Sequence, residues 1–189
     1  MRRLGVISLL LALLVSPAAR GGRPSAEEAA AARPIAPADF DSALLAREIH
    51  RASNRARTSN DRRNLKSLTQ LTAAADDQAF MLALRQKVGH DNPRQDQQGP
   101  VERVRRRGLR PASVGENVAA LPVLDPVTGQ PRTYREQAEA LVEAWMNSPA
   151  HRDNLLNYRF GKLGCAARLA LLPGNVPMVF AVQVFYESE

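Results

Sequence analysis

His90, Glu116 and His151 are the residues of this sequence whose types could do chemistry together. Two imidazoles and one carboxylate can hold Zn²⁺ and leave a fourth position for water. Such a water can become a nucleophile at neutral pH. His151 is the third residue of a helix whose start is marked by Ser148 and Pro149. There its ring sits near unpaired backbone donors and the positive end of the helix dipole, which disfavours the imidazolium. A neutral imidazole is the form that coordination or general-base work requires. Spacing alone does not join the three groups, because 25 and 34 residues lie between them. The local reading has His151 capping its own turn and Glu116 tying down a loop. Both readings stand at this level.

Other polar groups are weaker candidates. Ser148 lies near His151, but no nucleophile elbow surrounds it and it fits a helix N-cap. Cys165 sits in an apolar alternation and reads as a small packed hydrophobe. Gln183 is the polar exception in "MVFAVQVFYE" and, like Asn117 beside Glu116, suits a structural hydrogen bond or a cleft wall. His50 lies one position beyond the apolar face of its helix and reads as a surface histidine.

The elements that must position these groups follow from periodicity. Asp39 is expected to cap a helix carrying Leu45, Ile49, Ala52 and Ala56 on one face. A second stripe, Leu71, Ala75, Ala79 and Leu82, predicts a helix ended by Gly89, with His90 just beyond it. "VERVRRRGLRP" predicts a short basic helix stopped by Gly108, its charges read as a solvated face. Thr133 and Glu136 have capping-box spacing and introduce a helix with Ala138, Leu141, Val142 and Trp145 inward. The C-terminal part changes period. Residues 163 to 171 alternate, "PGN" makes a turn, and the last run is apolar on nearly both faces. That predicts a hairpin whose second strand is central and covered on both sides. Helices first and a hairpin last imply an α/β or α+β sandwich.

The chain has 189 residues, 26 basic and 19 acidic, for a net charge of +7. Arg2 and Arg3 precede an apolar run from Leu4 to Val15, followed by small residues at Ser16 and Ala18. This is the pattern of a signal peptide over 1–18, too short for a membrane span. Cleavage there removes Arg2 and Arg3 and leaves +5 before the new amino terminus is counted. A flexible leader is expected over 19–38 and the folded domain over 39–189. Export and a modest basic excess point toward anionic lipid or an envelope polymer and away from nucleic acid. No transmembrane helix is expected in the mature chain. With one cysteine, no intramolecular disulfide can form.

Five segments, "GHDNP", "GENVA", "AWMNSPAHRDNLL", "FGKLGCAA" and "FAVQVFYE", occur in the order found in CAP domains. That superfamily joins cysteine-rich secretory proteins, antigen 5 and plant pathogenesis-related 1 proteins. "NRART" at Asn54 to Thr58 resembles the family's first-helix segment. The resemblance runs from about Phe40 to Tyr186 and is nearest the bacterial, disulfide-free branch. It implies a three-layer α-β-α sandwich with a cleft. In many members two histidines and two acidic residues line that cleft and can bind a divalent cation. By resemblance His90 is the first histidine, Glu116 the first acid and His151 the second histidine. The second acid usually stands three residues after the helix tryptophan. Here that position is Ser148, so the set reduces to His90, Glu116 and His151, with Zn²⁺ as the implied cofactor. The function the resemblance implies is a secreted or periplasmic module that binds lipid, envelope polymer or protein; the chemistry of the three residues adds a metal-assisted hydrolase of peptide or envelope polymer as the alternative, and a domain whose histidines only secure loops as a third reading.

Overall fold

The computed structural model describes residues 24–189. The signal peptide expected over 1–18 lies outside the described residues. The chain runs α1 (Ala26–Ala31), α2 (Ser42–Thr58), β1 (Lys66–Ser67), α3 (Thr69–Arg85), α4 (Pro100–Arg106), β2 (Pro111–Pro122), α5 (Tyr134–Met146), α6 (Pro149–Leu156), β3 (Lys162–Leu172) and β4 (Val176–Ser188). The strands form one sheet in the order β1-β3-β4-β2. β4 pairs antiparallel with β3 and β2, and β1 pairs parallel with β3.

β4 is the central strand its two-sided apolarity predicts. Val179, Ala181 and Phe185 face one core with Leu45, Ile49, Leu141 and Trp145. Phe180, Val182, Val184 and Tyr186 face a second core with Leu71, Ala75, Ala79 and Val104. The period of two thus divides one strand between two cores. α2, α5 and α6 cover the first face, α3 and α4 the second. This is the expected three-layer α-β-α sandwich. No helix among the described residues is long and apolar enough to cross a membrane.

Three local boundaries differ from the sequence expectation. α2 is capped by Asp41, whose carboxylate accepts from Leu44 N at 2.8 Å, because Asp39 is taken up in a 3-10 turn over Pro37–Asp39. α3 ends at Gln86, which adopts a left-handed φ of 52°, rather than at Gly89. The chain from Pro24 onward is also not a free leader. Ser25 and Glu28 form a capping box for α1, and Ala31 and Ile35 are buried. Ile35 N donates to Arg132 O at 2.9 Å, and Pro34 bridges Thr133. Ile35, the lone large apolar residue of that stretch, is what anchors it.

Candidate functional site: a histidine–carboxylate–arginine cluster at the β2 edge

β2 sets the geometry. Glu116 and Asn117 are adjacent on a strand, so their side chains leave opposite faces of the sheet. Glu116 points to the α3/α4 side and Asn117 to the α6 side. The loop after α3 brings His90 to Glu116, with Nδ1 3.0 Å from Oε1. That loop is pinned by Gln78, whose amide donates to Gly89 O at 2.7 Å. Arg103 reaches in from α4. Its guanidinium donates to Glu116 Oε2, to Gln97 O at 2.9 Å and to His90 O at 3.2 Å. Arg103 is fully buried and Glu116 nearly so, whereas the His90 side chain is 52% exposed.

A hydrogen-bond chain crosses the other face. Asn154 donates to Glu116 O at 3.2 Å and to Asn117 Oδ1 at 3.0 Å. Asn117 donates to His151 O at 3.0 Å and to Gln183 Oε1 at 3.1 Å. Gln183 donates to Ser53 Oγ at 2.6 Å, and Ser53 to Ile49 O at 2.6 Å. Asn117, Gln183 and Ser53 have no exposure. The amides of Asn117 and Gln183 are both paired, as a buried polar network requires. The network fixes α6 and α2 to the sheet and holds the His151 backbone against β2. Ser148 occupies the N-cap position of α6 without a side-chain cap bond.

Glu116 thus holds His90 on one face of β2, and Asn117 holds the His151 backbone on the other. The Glu116 hydrogen bond is the main cause that raises the His90 pKa above the ordinary 6.5. Burial chiefly lowers that of His151, and the charge of His90 adds to the fall. An NMR pH titration should show His90 titrating above 6.5 and His151 below it. The stability His90 contributes is fully present below its unfolded pKa and is lost as pH rises through the folded value. His151 acts oppositely: its contribution is present above the unfolded pKa and is lost as pH falls through the folded value. Glu116→Gln should bring the His90 titration back toward 6.5. An unchanged His90 titration in that variant would contradict the pairing.

The zinc site expected over His90, Glu116 and His151 is overturned. No group of three or more His, Cys, Asp or Glu among the described residues is arranged to hold a metal ion. The reason is electrostatic and geometric. Both Glu116 oxygens are engaged, one by Arg103 and one by His90. A buried guanidinium beside the carboxylate already supplies the positive charge a metal would bring, and repels a second cation. The metal-assisted hydrolase reading loses its nucleophile with the ion. Cys165 does not replace it, since burial pushes its thiol far up and it packs as expected.

Sequence reasoning missed Arg103, read as part of a solvated basic face. Its position next to Val104 and one turn after Pro100 places it on the inward stripe of α4. It also missed Asn154 and Arg57. Arg57 is buried and donates to Arg63 O at 2.8 Å, Leu155 O at 2.7 Å and Asn157 O at 3.0 Å, tying the end of α2 to the end of α6.

The chain belongs to the CAP family, described as the cysteine-rich secretory protein family, whose sequence profile matches residues 50–183. Among solved structures, it is similar to an outer surface protein from Borrelia burgdorferi, with a TM-score of 0.57 and 17% identity, covering 79% of this chain and 97% of that one. It is also similar to an extracellular SCP-domain protein from Bacillus anthracis, with a TM-score of 0.60 and 22% identity, covering 82% of this chain and 45% of that one. A cysteine-rich secretory protein from Staphylococcus aureus gives a TM-score of 0.51 at 15% identity, covering 78% of this chain and 40% of that one. The chain thus spans less than half the length of these last two. At these identities the likeness is one of fold. No curated protein matches the sequence.

Proposed function

We propose that this chain is an exported ligand-binding module that recognises an anionic group of a lipid or envelope polymer without cleaving it. The observation that carries this reading is the buried Arg103–Glu116 pair. It neutralises the carboxylate, braces the loop of His90 and leaves that imidazole half-exposed to solvent. A rigid floor with a titratable donor at its rim suits recognition. Hydrolysis would need an activated nucleophile, and the metal-bound water that could have provided one has no site among the described residues. Arg2, Arg3 and the apolar run that follows support export. The net charge of +5 left after cleavage of 1–18 supports an anionic target.

The test measures binding and turnover together. The purified protein is titrated with vesicles of phosphatidylglycerol in phosphatidylcholine and, separately, with soluble peptidoglycan fragments, while products are followed by mass spectrometry. Saturable binding that weakens with salt and on His90→Ala, with no new product, is expected. Product that appears with wild type and disappears in His90→Ala and His151→Ala would replace this reading with a hydrolase.

A further inference from the structure

Three connections meet at one end of the sheet. Gln86, just past α3, donates its side-chain amide to Leu171 O at 3.0 Å, so the helix end abuts the turn between β3 and β4. Val123, just past β2, donates its N–H to Pro177 O at 2.9 Å, so the loop after β2 starts beside the same turn. The last turn of α3 and these connections carry Leu84 and Val88, Leu171 and Val176, and Leu124 and Val127. They are six of the eight large apolar residues exposed among the described residues, so the exposure is gathered and not scattered. Leu84 is 66% exposed and Val127 90%.

The β3–β4 turn is the most apolar part of this end. Leu172 pairs with Val176, and Pro173, Gly174 and Asn175 are exposed at the tip. No charge occurs from Leu169 to Tyr186. Asn175 is the one polar side chain from Leu169 to Met178, and its left-handed φ of 58° accounts for it through the backbone. The charges lie behind the tip. Arg168 is held by Asp76, and Asp125 by Arg132. Glu136 accepts from Thr133 N at 2.8 Å. Arg85 and Lys87 are exposed and in no ion pair among the described residues. They share a groove with Asp91, two cations against one acid. This end is therefore apolar at its tip, with a basic excess set back from it.

We propose that this end docks on the surface of an anionic lipid bilayer, with the β3–β4 turn, Leu84 and Val127 entering the boundary between headgroups and acyl chains and Arg85 and Lys87 meeting the lipid phosphates. The proposal rests on the reading of an anionic target, and it names the lipid form of that target and the surface that meets it. Two features select a bilayer. The apolar side chains come from three separate connections, and a fluid interface receives them without a surface shaped to match. The free cations stand behind the apolar tip, where their long stems run along the apolar boundary while the charges stay among anionic headgroups. Burial of the tip side chains and attraction of the cations then act on the same contact.

The test measures sedimentation with vesicles of phosphatidylglycerol in phosphatidylcholine, and with phosphatidylcholine alone. The double variants Leu171→Ser, Val176→Ser and Leu84→Ser, Val127→Ser each remove two exposed apolar contacts, and circular dichroism first establishes that they are folded. Each should bind the anionic vesicles at least about tenfold more weakly than wild type. Arg85→Gln, Lys87→Gln should weaken that binding by a similar factor, at least about tenfold, and leave binding to phosphatidylcholine alone unchanged. Val176→Trp should shift its emission to the blue on anionic vesicles, against a constant signal from the buried Trp145. Folded apolar double variants that bind as wild type does overturn the proposal, and a loss in His90→Ala alongside them would leave the anionic-target reading standing. Wild type that binds peptidoglycan fragments but not vesicles also overturns it and leaves that reading standing. Binding to neither overturns both. Self-association of wild type without vesicles, abolished by Leu171→Ser, Val176→Ser, overturns it in favour of a second copy of this chain.

Discussion

Arg103→Met should destabilise the protein by about 3–5 kcal/mol, the cost of removing one partner from a buried ion pair. The guanidinium has no exposure, and the Glu116 side chain it meets is 1% exposed. Methionine fills much of the volume but returns none of the hydrogen bonds to Glu116, Gln97 O and His90 O. The carboxylate is then left with His90 as its remaining side-chain partner. The consequence is largest where His90 is neutral. Urea unfolding at pH 8 should therefore show a larger loss than at pH 5, where a protonated His90 still faces Glu116. The double variant Arg103→Met, Glu116→Leu should recover much of the loss, since it removes both charges from the interior. A single variant within about 1 kcal/mol of wild type at pH 8 would show that the pair is hydrated and not buried.

Gly164→Ala should cost about 3 kcal/mol or more, at or beyond the upper end of ordinary overpacking. A methyl group there would stand 2.1 Å from Leu71 C, 2.3 Å from Thr72 N and 2.4 Å from Leu71 O. These are backbone atoms of the first turn of α3, so no side-chain rotation relieves the contact. The helix would have to lift from β3 along the seam where Leu71, Ala75 and Ala79 pack on the sheet. Chemical denaturation, with near-ultraviolet circular dichroism to follow packing, measures this directly. A cost below about 1 kcal/mol would mean that α3 does not lie this close to β3.

These positions show how much of the molecule its sequence displays. The three layers were legible because the apolar periods of α2, α3, α5, β3 and β4 each specify a face. The cysteine and Trp145 read as core and are core. Family resemblance grouped His90 with Glu116, but as ligands of an ion and not as a hydrogen-bonded pair, and no local pattern links residues so distant in the chain. The partner of Glu116 was hidden because arginine mid-helix reads as solvated. The packing of Val104 beside it turns Arg103 inward, and that one residue changes a metal-binding expectation into an ion pair. The packed segment before Phe40 was hidden by its Ala- and Pro-rich composition, although Ile35 and the Ser25–Glu28 spacing carried the signal. The polar chain from Ser53 to Asn154 was likewise hidden, because each member is an ordinary polar residue until β2 and β4 align Asn117 with Gln183.

The central claim is that Arg103, not a metal ion, is the counter-charge of Glu116. Calorimetric titration of the folded, metal-free protein with Zn²⁺ near neutral pH tests it most directly, with folded His90→Ala and His151→Ala alongside. No stoichiometric binding that depends on these histidines is expected. One-to-one binding by wild type that is lost in both variants would contradict the claim, and would mean that Arg103 leaves Glu116 when the ion arrives.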